Sequence, residues 1–113
     1  MSLIIKWVLS AVAVLIAAYL LPGVAVESFW SALVVAIVLA LMNATLKPLL
    51  VLLTIPITVL TLGLFLIVIN AIIILLIDAI IAGFYVSNFW WAIAFSFIIS
   101  ILGALFDDLA DRV

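Results

Sequence analysis

Between Lys47 and Gly83 the chain carries one charged side chain, Asp78. As one continuous helix, this run would extend over roughly 50 Å at about 1.5 Å per residue. A bilayer core is about 30 Å thick, so the run is too long for one crossing and too short for two with a turn. Pro48 and Pro56 resolve the conflict, because each removes a ladder hydrogen bond and disfavours helix in the residue before it. The piece between them, "LLVLLTI", is two turns at most and reads as a short interfacial or shallow re-entrant segment. The next span then runs from Ile57 to Ala82, or starts late near Gly63. Lipid is the solvent throughout: the chain is 74% hydrophobic and 7% charged, with mean hydropathy +1.86. Soluble domains are roughly 45–50% apolar and about 25% charged.

Three further spans follow from the same length criterion. Leu3–Leu21 ends at Pro22-Gly23, Phe29–Leu46 ends at Lys47-Pro48, and Phe89–Phe106 ends at "DDLADRV". Lys6 ahead of Trp7–Leu21 has the general shape of a secretory signal, but "AYLLPGVAVES" offers no small-x-small cleavage site, so it reads as a retained helix. With four spans, Lys6, Lys47 and Arg112 share one side and Glu27 lies on the other. Basic residues stay inside, which predicts a multi-pass membrane protein with both termini and the Lys47–Pro56 connection in the cytoplasm. Its 113 residues form one transmembrane domain: a hairpin at 1–46, a connection at 47–56, a hairpin at 57–106 and an acidic tail at 107–113.

The two hairpins resemble each other. A shift of sixty residues lays Gly23 on Gly83, Val26 on Val86, Phe29-Trp30 on Phe89-Trp90, and Ser10-Ala11 on Asn70-Ala71. Small residues recur in register: Ala32, Ala36, Ala40 and Ala44 in the second span, and Ala92, Ser96, Ser100 and Ala104 in the fourth. Lipid supplies no hydrophobic drive between helices, so small residues that allow close backbone approach are a main source of packing energy. The stripes predict that these two spans pack against each other or against a neighbouring subunit. Each loop pairs a glycine, suited to positive φ, with Phe29-Trp30 or Phe89-Trp90 as anchors at the headgroup level. With two spans per unit both copies point the same way. The expected fold is therefore all-α: two parallel helical hairpins joined by a proline-bounded elbow.

Few side chains could carry chemistry. The chain has no cysteine or histidine, which removes disulfides, thiolates and imidazole catalysis, and a net charge of −2 without a basic patch argues against nucleic acid. No cofactor, metal site or soluble partner is expected; the partners are the bilayer and further copies of the chain. Asn70 lies mid-span with Gly63 a heptad before it; an amide in hydrocarbon should face another helix and hydrogen-bond across to it, or else line a pore or substrate site. Asp78 either reaches the outer headgroups or is an intramembrane carboxylate. Asn43 and Lys47 sit one turn apart, with Lys47 placed to snorkel. Thr54, Thr58 and Thr61 are suited to bonding carbonyls freed by Pro56. Asp107, Asp108 and Asp111 form a solvated tail rather than a metal site.

The stretch "NATLKPLLVLLTIPITVLTLGLFLIVINA", Asn43 to Ala71, resembles the phage holin family, superfamily IV. Its elements are Asn43, Lys47-Pro48, Ile55-Pro56, Leu60–Gly63 and Asn70-Ala71, followed by the outer loop "GFYVSNFWWA". The resemblance implies a small four-span bacterial membrane protein, and the holin label implies oligomeric lesions that let a lytic enzyme cross. Three roles stay open: a self-associating structural or envelope-stress protein, a holin-like pore, which rests mainly on the resemblance, and a small transporter with a site near Asn70 and Asp78. An enzyme is least supported, since no nucleophile–base pair or phosphate loop is visible.

Overall fold

The computed structural model describes residues 3–112, with side chains through Leu109; the side chains of Asp111 and Arg112 lie outside the described residues. The elements in chain order are α1 (Leu3–Leu20), β1 (Val24–Val26), α2 (Phe29–Ala44), α3 (Leu46–Leu53), α4 (Ile55–Leu60), α5 (Phe65–Ile80), β2 (Phe84–Val86) and α6 (Phe89–Arg112). Helices α1 and α6 are each long and apolar enough to cross a bilayer, and α2 joins α3 across a 42° bend as a third candidate. Helix α5 has 16 residues, about 24 Å of rise.

The molecule is not all-helical. β1 and β2 form an antiparallel ribbon with Val24 opposite Val86, Ala25 opposite Tyr85 and Val26 opposite Phe84. Glu27 N donates to Gly83 O and Ser87 N to Gly23 O, both at 2.8 Å. Every one of these partners exchanges with its counterpart under the sixty-residue shift. Both loops would otherwise leave backbone groups unpaired where water is scarce, and pairing them with each other closes that end. The following helices start alike: Ser28 Oγ accepts from Ser31 N at 3.2 Å, and Asn88 Oδ1 accepts from Trp91 N at 3.1 Å.

Burial follows the same shift. Ala11 and Ala71, Val14 and Ile74, Ala17 and Ile77, Val24 and Phe84, Ala32 and Ala92, and Val35 and Phe95 are all buried. At most of these positions the first hairpin supplies the smaller residue and the second the larger. Alanine and valine thus leave room for isoleucine and phenylalanine at native packing density. The rings of Phe84 and Phe95, 5.4 Å apart and tilted 56°, fill the centre just beneath the ribbon.

The expected third span, Ile57 to Ala82, is shorter and interrupted. Helix α4 ends in a Schellman turn, with Gly63 N donating to Thr58 O at 2.8 Å and Leu62 N to Val59 O at 3.1 Å. Leu62 takes φ 57° and Gly63 φ 88°, so Gly63 terminates a helix and does not share a helical face with Asn70. The second span ends earlier than Leu46. Pro48 lies in the first turn of α3 and Pro56 in the first turn of α4, where a missing N–H is tolerated. Neither proline can donate to the residue four before it, Ala44 or Leu52, and the helices break at Thr45 and Thr54. Thr45 Oγ1 donates to Leu41 O and Thr54 Oγ1 to Leu50 O, both at 2.7 Å, and Thr61 Oγ1 to Ile57 O at 2.9 Å. The threonines thus cap the preceding turns rather than serving the carbonyls the prolines free. Thr58 Oγ1 is buried without a hydrogen-bond partner.

Candidate functional site: a cleft at the terminal end

Helix α1 packs on α2 and α6, and α5 packs on α6 and more sparsely on α2, whereas among the described residues no Cα of α2 lies within 8 Å of one in α6. The expected meeting of the second and fourth spans is therefore absent within one chain. Their small-residue stripes are buried only near the ribbon, at Ala32, Ala36 and Ala92; Ser96 is half-buried, and Ala40, Ala44, Ser100 and Ala104 are exposed. The helices diverge away from the ribbon, and the exposed ends of the stripes line the gap that opens between them.

That gap is a cleft of about 460 Å³ between α1, α2 and α6. Lys6 and Asp107 stand at its mouth, Ser10, Asn43 and Ser100 on its walls, and Val14, Ala36, Leu39 and Ile99 deeper in. Two smaller spaces adjoin it. One of about 60 Å³ brings Asn43, Lys47, Asn70, Ser96 and Ser100 together, and one of about 120 Å³ lies beside Asn70, Ser96 and Ser100. The structure thus gathers Asn43, Lys47 and Asn70 around shared space, although they come from α2, α3 and α5. Sequence reading missed Ser10 as a member; its signal was its register with Asn70.

Among the described residues, the side chains of Ser10, Asn43, Asn70, Ser96 and Ser100 make no hydrogen bond to protein. The expected interhelical bond of Asn70 is not formed. Uncompensated polar groups in hydrocarbon are costly, and the half-buried Asn70 and Ser96 keep their polar atoms accessible to the adjoining space. Lys6 and Asp107 form no ion pair with each other or with any described residue.

Asp78 is apart from this site. It is half-buried at the ribbon end of α5 and contributes negative potential at Tyr85. Tyr85 Oη donates to Glu27 Oε1 at 3.0 Å. That bond, and the Glu27 charge behind it, hold the Tyr85 phenol above its usual range. The predicted pairing of Asn70 with Asp78 in one pocket is therefore not found.

The aromatic pairs start α2 and α6. Phe29 and Trp30 stack edge-to-face at 6.1 Å, and Phe89 and Trp90 at 5.7 Å. Trp30 and Trp90 are the exposed members, at 73% and 74%. The two glycines preceding them have different reasons. Gly83 adopts φ 89°, as expected, but Gly23 does not take positive φ; a Cβ there would fall within the Trp91 indole.

Apolar helices long enough to cross a bilayer and a largely apolar exterior define an integral membrane protein. The chain belongs to the family described as mycobacterial 4 TMS phage holin, superfamily IV, which matches residues 1–105. It is similar to the "uncharacterized membrane protein YvlD" of Bacillus subtilis (strain 168), 36% identical over 109 residues and 89% of each chain. It is also similar to the "uncharacterized protein SCO3922" of Streptomyces coelicolor, 34% identical over 111 residues and 89% of each chain. No solved structure matches it.

Proposed function

We propose that this chain is a non-lytic, self-associating and non-enzymatic protein of the bacterial inner membrane. It crosses four times as two like-oriented hairpins, with its termini and the α3–α4 connection in the cytoplasm. The observation that carries this reading is the asymmetry of the two ends. The ribbon pairs the two loops at one end, with Phe84 packed on Phe95 beside it, and the residues that line the cleft lie toward the other. A single copy therefore offers no path through the bilayer. A lesion would have to be lined by outward faces such as Val34, Leu41, Ile72, Phe97 and Ile101, all exposed and apolar, and these do not favour water.

A second reading, a small transporter, is favoured by the unpartnered Asn70 and Ser96 at mid-span depth, but it loses Asp78 as part of the site. Controlled induction in bacteria, followed with a potential-sensitive dye, tests the main reading. Unchanged membrane potential alongside crosslinked oligomers is expected. Abrupt depolarisation at the same expression level would refute it.

A further inference from the structure

We propose that the cleft between α1, α2 and α6 binds one phospholipid with a phosphoethanolamine headgroup. On α1 and α6, the two helices that bring a charge to the cleft, the chemistry changes in the same direction from the terminal end toward the ribbon. On α1 it passes from Lys6 to Ser10 and then to Val14, one turn at a time. On α6 it passes from Asp107, across Ala104 and Gly103, to Ser100 and Ile99, and α2 adds the amide of Asn43 at the terminal end and Ala36 two turns nearer the ribbon. Charge at the mouth, neutral hydrogen-bonding groups below it and apolar walls beneath those match the sequence of headgroup, glycerol ester and acyl chain. The cleft's 460 Å³ falls within the roughly 300–1,000 Å³ of small-ligand sites, enough for a headgroup and the upper part of one chain.

The charges select the headgroup. Lys6 and Asp107 share the mouth without pairing, so the site presents one cation and one carboxylate to whatever enters. Phosphoethanolamine carries both complements: its phosphate meets Lys6, and its primary ammonium donates to Asp107. A phosphoglycerol headgroup satisfies only Lys6 and brings its charge against Asp107. A phosphocholine headgroup has the right charges but no N–H to donate. The ester carbonyls offer acceptors to the unpartnered hydroxyls of Ser10 and Ser100 and the amide of Asn43, supplying bonds the protein does not. Basic pockets between membrane helices near the headgroup level are a known physical route to lipid selection; here the adjoining carboxylate changes which lipid is favoured.

The test is native mass spectrometry of the full chain in detergent, titrated with phosphatidylethanolamine, phosphatidylcholine or phosphatidylglycerol of identical acyl chains. This readout is independent of topology and of membrane potential, so it stands or falls separately from the function proposed above. The expected result is one tightly held phosphatidylethanolamine, preferred by about tenfold over either competitor, the weight of one charge-assisted hydrogen bond. Asp107→Asn should abolish the preference over phosphatidylglycerol, and Lys6→Ala should weaken all three lipids. Both positions are exposed and outside the core, so these variants fold. Ser10→Leu should block the cleft and release the lipid. Equal binding of the three lipids overturns the proposal, as does an unchanged preference in Asp107→Asn. Oligomers that dissociate in Ser10→Leu without any retained lipid in the wild type also overturn it, because the occupant would then be a second copy.

Discussion

Replacing Gly23 with alanine tests whether the two hairpins are held together at the ribbon end. The added methyl would overlap Cγ, Cδ1 and Cδ2 of Trp91, which begins α6 in the other half of the chain. Cγ is where the indole joins its side chain, so the ring cannot escape by a small swing of its far edge. Either Trp91 leaves its rotamer, at about 0.5–1.5 kcal/mol, or the β1 turn moves away from α6. Overpacking of this kind costs about 1–3 kcal/mol, and 1–2 kcal/mol already changes the folded-to-unfolded ratio by roughly 5–30-fold. The assay is reversible unfolding in mixed micelles, titrated with sodium dodecyl sulfate and followed by far-ultraviolet circular dichroism. In a Trp91→Ala background the same change should cost much less, giving a coupling energy between the two sites. An effect below about 0.5 kcal/mol, the range of ordinary surface substitutions, would refute the reasoning. So would costs that simply add in the double variant.

Gly103→Ala is the matched control: its Cβ meets nothing within 4 Å and its φ is not positive, so unfolding should be unchanged or shifted up by as much as about 1 kcal/mol of helix propensity. Phe95→Ala empties the layer that Phe95 shares with Phe84 and should cost about 3–5 kcal/mol in the same unfolding titration. Tyr85 contributes stability that is present below its ordinary phenol pKa of 10.0 and lost as pH rises through its raised folded value; unfolding midpoints should therefore fall faster above pH 10 in wild type than in Tyr85→Phe.

Several features were legible because they are properties of single segments. Proline, glycine and aromatic positions marked the starts of α2 and α6 closely, and the register of Gly23 with Gly83 marked the two loops that the ribbon joins. The break at Leu62 and Gly63 was only half visible. Glycine at 63 signals a stop, but nothing in the apolar run announces that a leucine will take the left-handed conformation beside it. The stripes at Ala40, Ala44, Ser100 and Ala104 do not bring α2 and α6 together within one chain. Small residues permit close approach without enforcing it, and the packing of the whole core decides which helices meet.

What the chain determined by itself is its solvent and its elements. Too few polar side chains exist to face water, and lipid then requires every backbone group to be paired within helices or closed strands. What only the tertiary structure decided is which distant groups meet. Three-residue strands have no stability of their own, so the ribbon exists because packing brings residues sixty positions apart together. Divergence of the helices below it likewise places Lys6, Asn43 and Asp107 around one cleft, a placement set by the summed volumes of the core and by no local pattern.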